Sequence, residues 1–145
     1  MRVLRAFPAE QSELRPSTKS NSARQIAWTF VIEERFMIRA LSGAPALGAD
    51  AFPASPDSWE AILDELTRSA AEVERLLAAA DDGALAGTVQ FFVAPKQLGD
   101  IPTVDFLWFM LHDQIHHRGQ LSVYLRIAGA KVPSIYGPSG DEPWN

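Results

Sequence analysis

The chain has 145 residues, of which 47% are hydrophobic and 21% charged, a balance typical of one globular domain with its own core. The net charge of −5 and the isoelectric point near 5.1 argue against a general nucleic-acid or anionic-membrane surface. No cysteine is present, which excludes a disulfide framework, a zinc–thiolate site and a cysteine nucleophile, and which fits a cytoplasmic protein.

The first segment, residues 1–16, contains a few apolar side chains and is interrupted by prolines. Its beginning lacks the sustained apolar run of a signal peptide, and no stretch of about 18 apolar residues predicts a membrane span anywhere in the chain. Pro8 ends any helix begun at Met1 or opens a new turn, because its ring keeps the preceding residue out of helical geometry. We therefore expect the first helical segment to be short.

A polar linker follows and ends in a capping box at the start of the second helical segment. Ser22 can accept a hydrogen bond from the amide three residues further on, and Gln25 can return to the amide of Ser22. The apolar periodicity then predicts a helix over about Ala23–Leu41, which stops at Ser42 and Gly43.

One acidic residue interrupts the apolar seam of this second segment. Glu33 falls between Phe30 and Met37 on the seam, and Thr29 lies one turn before it. A buried carboxylate needs a partner, so Glu33 is the internal candidate to meet polar side chains of another helix. The alternative is that Glu33 lies at the rim of the seam and its neighbour Glu34 lies in water.

The middle of the chain reads as a loop and a scaffold helix. Residues 43–55 are rich in glycine, proline and alanine and are predicted to form a loop. The sequence Ser55-Pro56-Asp57 then predicts a helix start, with a cap, a proline in the first helical position and an acid in the first turn. Apolar residues repeat at helical spacing to about Ala80, and none of the residues in this helix suggests chemistry.

Residues 87–93 form the one strand-like run, Gly-Thr-Val-Gln-Phe-Phe-Val. No partner strand is evident, and an isolated strand would leave backbone groups unpaired. We therefore expect an extended crossover that packs on the helices. The last helix is predicted to start around residues 99–102 and to continue to about Ala128, before Gly129.

This last helix contains all three histidines of the protein. Asp113 and His117 are neighbours at the i,i+4 spacing, on a stripe that is otherwise largely apolar, and could meet Glu33 if the two seams face each other. The other members of the stripe are Phe106, Met110, Gln120 or Leu121, Tyr124 and Ile127. His112 and His116 form a second i,i+4 pair, which could bind a metal through two imidazoles, but an exposed or interfacial pair is the favoured interpretation.

Two further features of this helix lead to expectations about its surroundings. Gly119 in the helix interior is unfavourable, so we expect another helix to approach its backbone closely. Arg118 and Arg126 lie two turns apart and could anchor an acidic ligand, although arginines on a long helix are usually solvated or paired. After Gly129 the chain is predicted to be an irregular tail that Ile135, Tyr136 and Trp144 attach to the helices.

The last helix contains the run His116-His117-Arg118-Gly119-Gln120-Leu121, followed by Ser-Val-Tyr-Leu-Arg, and the tail contains the segment Lys-Val-Pro-Ser-Ile-Tyr-Gly-Pro-Ser. Together these segments resemble the C-terminal signature of DinB/YfiT-like four-helix proteins. The resemblance continues more loosely through residues 20–36. It implies an all-α, DinB-like four-helix bundle over residues 1–145, of up-down-down-up topology, with a long crossover and an irregular C-terminal tail. By the same comparison the chain supplies only the last turns of the first helix. We expect a second copy of the chain, in a homodimer, or an upstream extension to cover the groove that remains.

The resemblance also implies a divalent metal held by three histidines, one of which directly precedes Arg-Gly-Gln. That position is His117 here, whereas the other member of its pair falls on Asp113 and the second-helix histidine falls near Thr29. Asp113, His117 and Glu33 are therefore the predicted ligands of zinc, nickel, iron or manganese, which imidazole and carboxylate donors suit.

Two functions follow from these expectations. Some members of the family are metal-dependent hydrolases or thiol S-transferases, so the resemblance implies an enzyme of one of these classes. The alternative is a metal-free, non-catalytic bundle that binds an unknown small molecule or forms a dimer. No catalytic residue can be assigned from the sequence, and a serine hydrolase is disfavoured because no Gly-x-Ser-x-Gly elbow occurs.

Overall fold

The frame of the protein consists of long helices whose starts are set by capping side chains or by a preceding strand. The computed structural model describes residues 1–144. Its three long helices are α2 (Ala23–Leu41), α3 (Trp59–Ala79) and α5 (Thr103–Ile127), and its shorter helical elements are α1 (Arg2–Ala6), a 3-10 turn (Ala9–Gln11) and α4 (Asp82–Leu85). The predicted capping box of α2 is present, with Ser22 and Gln25 each accepting a hydrogen bond from the other's amide. None of the helices in the described residues is both long and apolar enough to cross a membrane.

A β-hairpin before α5 makes the all-α prediction wrong for this part of the chain. Strands β1 (Thr88–Ala94) and β2 (Gln97–Pro102) pair antiparallel, with Val89 opposite Ile101. Lys96 turns the chain between them with a φ of 61°. The strand-like run therefore has its partner within the chain, and residues 99–102 belong to β2 rather than to the start of the last helix. The extended crossover is in fact a two-stranded sheet.

The start of α3 also differs from its prediction. Ser58, not Ser55, caps the helix, and its hydroxyl accepts a hydrogen bond from the amide of Ala61. Arg24 of α2 donates to the carbonyl of Pro56 and to the carboxylate of Asp57, which are 3.3 and 3.4 Å away. This tertiary contact fixes the Pro-Asp pair outside the helix, and the next serine takes the capping position.

The core divides into two apolar clusters along α2, which packs against both α3 and α5. The first lies beside α1, which has five residues, ends before Pro8 as predicted and packs against α5. The second lies beside the hairpin and brings Phe91 against Phe36 and Phe106. The candidate site lies on α2 and α5, where these two clusters meet.

The C-terminal part differs from its predictions in two respects. A Cβ added at Gly119 would meet no atom of another element within 4 Å among residues 1–144, so the expected close approach of a helix is not found there. In the tail, Tyr136 and Trp144 are 73% and 69% exposed, although Arg118 of α5 lies over the Tyr136 ring. Val132 packs against the core, and ion pairs add to this attachment. Arg2 pairs with Glu142, and Arg126 pairs with Asp141, at 2.8 and 2.6 Å.

Candidate metal centre

Two helices bring three candidate ligands together. Glu33 lies in the middle of α2, and Asp113 and His117 lie one turn apart on α5. The seams of α2 and α5 face each other, so a carboxylate oxygen of each acid and a ring nitrogen of the histidine all lie within 4.8 Å of one another. The predicted proximity of these three residues is therefore present in the structure.

The distances suit a single ion. His117 Nε2 lies 3.7 Å from Glu33 Oε1 and 3.7 Å from Asp113 Oδ1. Donor atoms about 2.1 Å from a tetrahedral ion lie about 3.4 Å from each other. These separations are too long for direct hydrogen bonds, and a small contraction would bring the histidine to ligand spacing from each carboxylate.

Glu33 supplies the strongest structural argument for a cation. Its side chain is buried, with 2% exposure, and neither carboxylate oxygen has a hydrogen-bond partner within residues 1–144. Burial first, and then the neighbouring carboxyl of Asp113, raises the pKa of Glu33 to about 9. A buried acid of this kind is costly unless a cation compensates it, so the residues present fit a divalent metal. The alternative, in which Glu33 lies at the rim of the seam and Glu34 lies in water, is wrong, because both side chains are buried.

Gln120 orients the imidazole of His117. The ring nitrogen Nδ1 lies 2.9 Å from Oε1 of the glutamine, one turn further along α5. When Nδ1–H donates to this oxygen, the lone pair of the ring lies on Nε2, the atom that faces Glu33 and Asp113. Metal-binding histidines are commonly held by such a second hydrogen bond.

The remaining sequence candidates lie outside this group. Thr29 lines a cavity next to the site, and its hydroxyl donates to the carbonyl of Gln25. His112 and His116 are exposed, as the favoured interpretation predicted, and His112 stacks on Trp108. Arg126 is paired with Asp141, and Arg118 lies over the ring of Tyr136 at 4.5 Å, so neither anchors a ligand at the centre.

Sequence reasoning missed two parts of the site. The role of Gln120 had a local signal, since it follows His117 at the i,i+3 spacing that brings helical side chains together. The apolar wall beside the site had no such signal. Phe52 comes from the loop before α3 and Phe91 from β1, and their approach to α2 depends on the tertiary fold.

Comparison with known proteins adds a family and a fold. The model of the DinB family matches residues 1–144. The uncharacterized protein YrdA of Bacillus subtilis (strain 168) is 48% identical over 42 residues, which are 29% of this chain and 25% of that relative. The match therefore spans a quarter of the relative's length.

Two solved structures resemble the whole fold. A DinB-like protein from Bacillus cereus ATCC 10987 has a TM-score of 0.72 and 25% sequence identity, and the match covers 93% of this chain and 87% of that one. The DinB-like protein YjoA from Bacillus subtilis has a TM-score of 0.70 at 16% identity, with the same coverage. The second likeness concerns the fold alone.

Proposed function

The chain belongs to the DinB family, and on that premise we propose that it binds one divalent metal ion through Glu33, Asp113 and His117. The observation that carries this proposal is the buried Glu33 carboxyl, which lacks a hydrogen-bond partner within residues 1–144 and faces an imidazole. Two carboxylates and one imidazole suit zinc, nickel, iron or manganese, and three protein ligands leave room for an exogenous group.

We further propose that the protein is a metal-dependent hydrolase or thiol S-transferase. A divalent ion at this position would supply Lewis acidity and lower the pKa of a water or thiol beside it. The protein would hold the ion with the largely buried Glu33 and His117 and with the more exposed Asp113, and both acids line an adjoining cavity. The two reaction classes differ in the attacking nucleophile, which is water in one and a thiol in the other.

Metal analysis of protein purified without a histidine tag tests the proposal. We expect about one ion per chain in the wild type and none in the Asp113→Ala/His117→Ala double variant. The matched control is His112→Ala/His116→Ala, which removes the two exposed histidines of the same helix and should keep the ion. A triad variant that retains a stoichiometric ion, or a wild type that takes up none when dialysed against zinc, would contradict the assignment.

A second proposal concerns the partner. We propose that the protein is a homodimer whose contact includes the apolar groove between α3 and α5. The groove has a volume of about 570 Å³, and its walls carry half-exposed apolar side chains, among them Leu77, Val104, Trp108 and Leu111. Exposed apolar surface of this kind marks contact sites, and symmetric dimers are the commonest assemblies.

Sedimentation velocity of the wild type and the Trp108→Glu variant tests the dimer. We expect a dimer for the wild type and a monomer for the variant, because a charge in an apolar contact loses its hydration. Phe52→Glu is a matched control that should remain dimeric, because Phe52 is also exposed but does not line this groove. A monomeric wild type at micromolar concentration is incompatible with this proposal.

A further inference from the structure

A second feature of the site points to the substrate. A cavity of about 230 Å³ adjoins the candidate metal centre, and both acids of the centre contribute to its wall. The other lining residues come from α2, from the loop before α3, from β1 and from α5. They are Trp28, Thr29, Ile32, Phe36, Phe52, Phe91, Phe109 and Met110.

The charges around this cavity exclude one class of substrate group. Glu33 and Asp113 are its only charged lining residues, and neither lysine nor arginine contributes to the wall among residues 1–144. A phosphate, sulfonate or free carboxylate placed against the rings, away from the metal centre, would meet an apolar surface with no lysine or arginine to compensate it. The cavity therefore favours an uncharged apolar group.

The aromatic composition of the wall favours an aromatic ring as its ligand. Phe36 meets Phe52 and Phe91 edge to face, with ring centroids 5.4 and 5.2 Å apart. Phe109 lies 6.2 Å from Phe91, also edge to face. Aromatic groups prefer such arrangements, and an apolar cavity of roughly 150 Å³ is sufficient for benzene. A substituted benzene ring can thus fill the larger cavity here.

The outer walls still have apolar surface for a ligand to cover. Phe109 and Phe52 are 45% and 65% exposed, whereas Phe36, Phe91 and Met110 form a buried floor. A ring resting on that floor would cover the two exposed phenylalanines, and its substituent would lie beside the acids of the metal centre. Covering this surface would add affinity without any charged contact.

We propose that the substrate carries an aryl or benzyl group, which binds in this cavity while its reactive polar group meets the metal centre. This inference rests on the proposed function, since the metal defines where the polar group binds. The pocket thereby selects aromatic over short aliphatic substrates. Phe109 and Phe52 act as specificity residues that contact the ring.

Two hydroxamates that differ only in this group test the inference. Zinc binding is measured first by calorimetry, and the zinc-loaded protein is then titrated with benzohydroxamate and acetohydroxamate, which share the same metal-chelating group. We expect benzohydroxamate to bind about tenfold tighter or better, since its ring gains an apolar site. Phe109→Ala should reduce this preference at least about threefold. Phe92→Ala is the matched control, because Phe92 is equally exposed at 45% but lies outside the cavity wall.

The outcomes separate the two proposals. Zinc binding that depends on the triad, together with equal affinity for the two hydroxamates, overturns the aryl inference and keeps the proposed metal site. A preference for benzohydroxamate that Phe109→Ala leaves unchanged also overturns it, because the ring would then bind elsewhere. A protein that does not bind zinc overturns the proposed function and the inference with it.

Discussion

Replacing Glu33 with glutamine is expected to stabilise the metal-free protein by up to about 3 kcal/mol at pH 7. Glutamine has nearly the same shape and carries no charge, so the variant loses the ionisation of the acid and keeps the packing between α2 and α5. The same substitution removes a charged ligand, so zinc should stabilise the wild type but not the variant.

The pH dependence of this effect has a definite sign. The pKa of Glu33 is raised from an ordinary value of 4.5 to about 9 in the folded protein. Between these two values the unfolded chain has released the proton while the folded protein retains it. The unfolded state therefore binds fewer protons, and the free energy of unfolding of the wild type falls as the pH rises through this window. The advantage of Glu33→Gln should be small near pH 5 and should grow towards pH 8.5.

Urea denaturation in the presence of EDTA, at pH 5, 7 and 8.5, measures this difference. Asp64→Asn on the exposed side of α3, outside the groove proposed as the dimer contact, is a suitable control and should change stability little at any of these pH values. A difference between Glu33→Gln and the wild type that stays constant from pH 5 to pH 8.5 would show that the acid does not titrate as a buried group.

Replacing Gln120 with leucine is expected to weaken zinc binding about 10- to 100-fold. The leucine removes the oxygen that accepts from Nδ1 of His117, so the ring loses both its preferred tautomer and its fixed orientation. Glutamine and leucine are both good helix formers, and Gln120 is only partly buried, so α5 should keep its stability. The expected loss is therefore one of metal affinity rather than of folding.

Competition with a chromophoric chelator measures the zinc affinity of the two proteins. The conservative variant Gln120→Glu keeps an oxygen acceptor at the same position. It should therefore bind zinc much more tightly than Gln120→Leu does. Ser122→Ala, two residues further along α5, removes a hydroxyl that donates to the carbonyl of Gly119 and should leave the affinity unchanged. Wild-type affinity in Gln120→Leu would mean that the glutamine does not support the ligand.

Much of the site could be predicted because it depends on helical periodicity. The spacing of Asp113 and His117 places them on one face of α5 whatever the rest of the chain does. Glu33 was recognisable as a carboxyl within an apolar seam. What the sequence left open was whether Glu33 lies at the rim or inside, because this depends on which residues of α5 and the hairpin cover α2.

The errors have a common cause in contacts between distant parts of the chain. The partner of β1 is a polar, glycine-containing segment with little strand character, and only pairing with Val89 and its neighbours makes residues 97–102 a strand. The cap of α3 moved to Ser58 because Arg24, more than 30 residues away, holds Pro56 and Asp57. Gly119 carried no information about its surroundings, since the space beside it is open.

The family, the long helices and the three residues of the candidate centre were predictable from the sequence, because capping and periodicity are properties of neighbouring residues. The burial of Glu33 without a hydrogen-bond partner among the described residues, 3.7 Å from the ring of His117, follows from packing between α2 and α5. The same packing brings rings from a loop, a strand and two helices to one cavity. Distances between elements depend on how side chains far apart in the chain pack together, and local sequence patterns do not contain that information.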